Sequence, residues 1–210
     1  MKEIRLVDEL LFLFRFIRYP IDSFYYLKDK QHVSIVSATI LYAIVFVEFV
    51  ILNHFKGFIF SSPGQDQIHL ASELATLFIP IGLFIVTNYL VSTINDGEGR
   101  FSDLYIGTAY SLAPFILGIL PLTFISRVLT LNEAFVYIFS LQVILIWSGI
   151  ILFIMVKEVH DFTFWGTVRN LLVTLFGMAI FTLICVIVYI LIDQVYQFVF
   201  SIIQEVIYRV

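Results

Sequence analysis

The chain has 210 residues, of which 60% are hydrophobic and only 13% charged, and its mean hydropathy is +1.00. Soluble domains are about a quarter charged, so a water-soluble fold of this length is excluded for want of polar surface to cover its core. The formal charge of −4, with no long basic stripe, excludes a nucleic-acid footprint. The single cysteine, Cys185, excludes an intrachain disulfide.

Residues 1–32 read as a cytoplasmic or interfacial amphipathic segment. Within it, residues 4–18 set apolar side chains between Arg5, Asp8, Glu9, Arg15 and Arg18, a pattern suited to a helix in the membrane plane. The apolar stretch Leu10–Phe14 is too short, and too close to Asp8, Glu9 and Arg15, for a secretory signal, so this start is expected to be retained. Five apolar runs follow within residues 33–192: Val33–Asn53, Leu74–Ile94, Leu104–Ile125, Ala134–Val156 and Leu171–Ile192. As helices they measure about 31–35 Å, against a hydrocarbon core of about 30 Å. A bilayer has no water for unpaired backbone groups, so each run is expected to be helical. Residues 193–210 place Asp193, Gln197, Ser201, Glu205 and Arg209 four apart in one polar stripe. They read as an amphipathic helix on the membrane or as an extension of the fifth span. The predicted fold is thus all-α: a polytopic membrane bundle of five transmembrane helices with interfacial amphipathic helices at both ends.

Basic residues set the orientation. With the N-terminus inside, the inner side holds Lys2, Arg5, Arg15, Arg18, Lys28, Lys30, Arg100, Lys157 and Arg169, and the outer side Lys56, Arg127 and Arg209. That bias predicts a cytoplasmic-membrane protein with its N-terminus in and its C-terminus out. Residues 95–103 then form a tight cytoplasmic turn. Asn95-Asp96-Gly97 and Gly99 are expected to supply positive φ, and Asp103 to cap the third span. The 157–170 segment is the other loop on that side.

The third span carries the most unusual run, DGEGRFSDLYIGTAYSLAP at 96–114. Pro114 cannot donate to the Tyr110 carbonyl, so a kink is expected near mid-bilayer. Pro121 and Pro80 act likewise on Leu117 and Thr76. Freed carbonyls need protein or water partners, which places this span inside the bundle. Asn88 is a candidate partner at the depth of Tyr110, and Ser111 adds a hydroxyl there. Glu48 is the one carboxylate clearly within a span, and intramembrane acids are costly and commonly functional. Gln142, Arg127, Lys56 and Glu73 are its candidate partners.

Two groupings hold residue types that can ligate a metal: His54, His69, Asp66 and Glu73 outside, and Asp96, Glu98, Asp103, Glu158, His160 and Asp161 inside. Neither has a ligand spacing that fixes a metal, so no metal and no cofactor is expected. No nucleophile elbow or phosphate loop is present, so no enzyme is expected.

The same 96–114 run, VKEVHDFTFWGTVRNLLVTLFGMA before the last span, and YPIDSFYYLK with Pro20, Phe24 and Lys28 resemble the Yip (Ypt/Rab-interacting protein) family, nearest its short bacterial members. The likeness covers residues 16–210, and Asp96, Gly97, Gly99, Tyr110, Ser111, Pro114, His160, Glu205 and Arg209 carry it. It implies a multi-pass membrane protein without catalysis. Eukaryotic relatives act in vesicle traffic through prenylated GTPases and each other. This chain lacks their long hydrophilic N-terminal region, and its Asp103-Leu104-Tyr105 lies at the start of the third span, so GTPase binding is not carried over.

The expected function is a non-enzymatic scaffold or accessory protein in the lipid bilayer. It binds other membrane proteins, among them transporter subunits or itself, through a cytoplasmic surface of Asp96, Glu98, Arg100, His160 and Asp161. Tyr110, Ser111, Pro114, Asn88 and Glu48 are its intramembrane polar set. The alternative is a small transporter or channel using Glu48 and the kinked third span.

Overall fold

The structure is a computed structural model that describes residues 11–28, 34–60 and 69–208. Lys2, Arg5, Asp8, Glu9, Lys30, Asp66 and Arg209 lie outside the described residues. Every element among the described residues is helical, and five helical segments are long and apolar enough to cross a membrane.

Two short helices, α1 (Leu13–Arg18) and α2 (Pro20–Lys28), precede the first span. Proline opens α2, where its missing N–H costs nothing and its fixed φ suits the first turn. The first span is α3 (Ile35–Phe55). Ser34 caps it, its Oγ accepting the Ser37 N–H at 3.2 Å, as an N-cap serine should. The second span is α4 (Leu70–Ile94), starting four residues before the predicted run and enclosing Glu73 in its first turn. The third span is two helices, α5 (Phe101–Ser111) and α6 (Ala113–Ser126). The fourth is α7 (Ala134–His160), and the fifth is α8 (Phe164–Tyr208).

The spans are not equally interior. Over its most apolar stretch the third span is 56% buried, the first 33%, and the fifth not at all. The predicted interior place of the third span is observed, because α5 and α6 between them pack on the first and fourth spans. The disruption expected from the proline is observed, two residues before it. It breaks the span at Leu112 (φ −82°, ψ 7°), whose N–H turns to the Ala109 carbonyl at 3.3 Å. Pro114 then sits in the first turn of α6, where no donor is required.

The two ends behave differently. In the N-terminal segment, expected to be cytoplasmic or interfacial, the described residues pack on the bundle: α1 on α5 and α6, and α2 on α5 and α7. Phe16 and Phe24 are wholly buried, and Phe16 lies 4.7 Å, ring to ring, from both Phe24 and Tyr110. Arg15 and Arg18 stay exposed. At the other end, α8 is a single helix of 45 residues, about 67 Å long at 1.5 Å per residue. Residues 193–208 therefore prolong the fifth span without a break.

Candidate functional site

The end of the bundle holding Arg100 and Lys157 is called here the basic end. Its two inter-span connections are short. The 157–170 segment expected as a loop is mostly helix, since α7 runs to His160 and α8 starts at Phe164. The remaining link is Asp161–Thr163, turned by Asp161 in the left-handed conformation (φ 56°). On the other connection the left-handed residue is Asp96 (φ 58°). Of the four residues expected to supply positive φ, Asp96 does, and Asn95, Gly97 and Gly99 do not.

The glycines serve close approach instead. A Cβ on Gly99 would lie 2.6 Å from His160 Cε1, and one on Gly97 would lie 2.7 Å from His160 Nδ1. Both clash, so only glycine lets the turn wrap the imidazole. The Gly99 N–H donates to His160 Nδ1 at 3.2 Å, and the ring stacks on Phe162 at 5.3 Å. His160 is only 2% exposed. It is therefore the pin joining the two connections, and the surface is left to Asp96, Glu98, Arg100 and Asp161, all exposed. Beside them Lys157 Nζ pairs with Glu158 Oε1 at 2.7 Å. Asp103 caps the third span from inside its first turn, its Oδ2 accepting the Arg100 N–H at 3.2 Å.

The intramembrane polar residues separate into different places. Tyr110 is wholly buried and donates to Ser37 Oγ at 3.3 Å, and Ser111 donates to the Gly107 carbonyl at 2.8 Å. Asn88 does not serve Tyr110; its Nδ2 donates to Thr174 Oγ1 of the fifth span at 3.1 Å. That bond belongs to a ladder the sequence reading missed. Asn170 accepts from Asn95 Nδ2 at 3.2 Å and donates to Ser92 Oγ at 3.0 Å. A Cβ on Gly177 would lie 2.7 Å from Thr87 Cγ2. The signal was in the sequence: Asn88, Ser92 and Asn95 recur at helical spacing, as do Thr167, Asn170 and Thr174.

Glu48 is 2% exposed, and its Oε2 has no hydrogen-bond partner among the described residues. Two of its expected partners are engaged elsewhere. Glu73 Oε1 meets His54 Nε2, and Arg127 Nε donates to the Phe55 carbonyl at 2.9 Å. The same end is tied by the Gly57 N–H, which donates to Ser126 Oγ at 2.9 Å.

The family model described as the Yip1 domain matches residues 14–188. No curated protein matches the chain, and no solved structure does.

Proposed function

Since the chain belongs to the Yip1 domain family, we propose that it is a non-enzymatic integral membrane scaffold or accessory protein, docking other membrane proteins at its basic end. The basic end faces the cytoplasm of a cytoplasmic membrane, with the N-terminus inside and the C-terminus outside. One observation carries the reading. His160 is buried between the 95–100 turn and the 161–163 link, so two separate connections form one fixed surface. Binding groups held by a rigid scaffold are where recognition usually resides. Asp96, Glu98, Arg100 and Asp161 give that surface both signs of charge, which favours orienting a partner over gathering ions of one sign.

The test is copurification from native membranes. Reversing the pair, Glu98→Lys with Arg100→Glu, is expected to leave the melting temperature unchanged and to reduce partner recovery. Gly99→Ala, which forces a methyl against His160, should lose partners and lower the melting temperature together. Partners retained by the charge-reversed protein, with solute flux through vesicles carrying it, would replace this reading with a transport one.

A further inference from the structure

The fifth helix and the second span part company halfway across the bundle. Their contact runs through Asn95–Asn170, Asn88–Thr174 and Thr87–Gly177, an antiparallel register on one face of α4. Beyond Gly177, no residue of 179–208 whose side chain is described is buried. The face of α4 does not end there. It continues one and two turns further as Phe84, Ile81 and Pro80, which form one wall of a crevice of about 330 Å³. Leu145, Ser148 and Gly149 of α7 form the opposite wall, and the break at Leu112 lies at its floor.

The crevice holds a buried hydroxyl with no partner among the described residues. Ser148 is 8% exposed, and its Oγ makes no hydrogen bond there. Other hydroxyls of the spans satisfy themselves: Thr76, Thr93, Ser111, Thr123 and Thr182 each bond the carbonyl four residues back. Ser148 instead lines the cavity. Among the described residues, no atom of another element lies within 4 Å of where a Cβ on Gly149 would sit, and small residues of this kind let a second helix backbone approach. The crevice lies about 15–20 Å from the basic end of α4 and of α7, near mid-bilayer. Lipid offers only hydrocarbon there, so the missing partner must come from protein or from water.

We propose that this crevice seats the far half of the fifth helix from a second copy of the chain. The dimer is two-fold, with its axis along the bilayer normal. That symmetry keeps every residue at its own depth. Extending the antiparallel register from Thr87–Gly177 brings Thr182 level with Gly82, beside Ile81, and Cys185 about one turn further out, near Pro80 and Leu145. Thr182 Oγ1 already donates to the Met178 carbonyl, so its lone pairs are available to accept from Ser148. The seat is continuous with the face on which the fifth helix of the same chain already packs. In that chain the helix runs on unbroken from Phe164 to Tyr208 and leaves the crevice open.

The native Cys185, exposed on α8, makes the test direct. Leu145→Cys and, separately, Gly149→Cys are introduced, and native membranes are treated with a short bis-maleimide. The expected result is a linked species of twice the chain mass for at least one of the two variants, lost when Cys185→Ala is added. Ser148→Leu, which fills the crevice, should lower the yield of that species several-fold while the monomer remains folded. A folded protein with no linked dimer in either variant would overturn the proposal. So would consumption of both thiols within one chain, which would mean that the helix bends into its own crevice. A dimer that survives Cys185→Ala at full yield would also overturn it, since α7 would then be meeting α7.

Discussion

His160 and Glu48 are both buried polar residues, and their surroundings give them opposite roles. The imidazole has a donor on Nδ1, a stacked ring, and two glycines cut to fit it. Those contacts fix position, which is what a pin between two connections requires. Glu48 has an oxygen without a donor among the described residues, so its burial is a cost rather than a support. It follows that Glu48→Gln should change the melting temperature little, because the shape is kept. Glu48→Lys should lower abundance sharply: a lysine at helix-centre depth costs about 2.5–3.5 kcal/mol on insertion scales, and less toward the interface. Thermal melts in detergent and membrane abundance together check this. A folded Glu48→Gln protein that has lost an activity in vesicles would show that the carboxyl itself works.

The same argument applies to whole elements, because in a membrane apolar area does not select between protein and lipid. The fifth span is held to the bundle chiefly through the Asn88–Thr174 bond and the two bonds of Asn170, backed by the close approach at Gly177. Interhelical hydrogen bonds in membranes average about 0.6 kcal/mol and reach about 1.7, so Asn170→Ala should cost about 1–2 kcal/mol of attachment. The expected readout is faster proteolysis within 161–163, with little change in the first, third and fourth spans. Unchanged cleavage would mean that the helix is held by something other than this ladder. The third span shows the complementary case, in which backbone rather than side chain decides. Pro114 was legible as a disruption, but the site of the break at Leu112 was not. Several residues before a proline can absorb the lost bond, and the packing around α5 and α6 selects one.

For the whole molecule, the prediction concerns direction across the membrane. The distribution of Lys and Arg predicts that the basic end faces the cytoplasm, and the docked α1–α2 pair, which carries exposed Arg15 and Arg18, sits on the third and fourth spans. Single cysteines in a Cys185→Ala background should therefore be labelled from outside intact cells at position 56 but not at position 98. Labelling at 98 from outside would invert the arrangement and remove the surface around Glu98 and Arg100 from the cytoplasm.

Sequence alone determined that this is a helical membrane protein with five spans and which of them is interior. Those features follow from local rules: run length against bilayer thickness, and the need of every backbone group for a partner in lipid. Tertiary structure alone decided what each apolar or polar face meets. Residues 13–28 are amphipathic whether they lie on lipid or on Tyr110, and only packing shows Phe16 and Phe24 against that ring. Asn88 could have reached Tyr110 or Thr174 from one depth, and the neighbour in space settled it. The physical reason is common to both. A lipid tail and a protein interior are equally apolar, so hydrophobicity places a helix in the membrane without saying which side turns to its neighbours. Small residues and hydrogen bonds decide that, and their partners are distant in the chain.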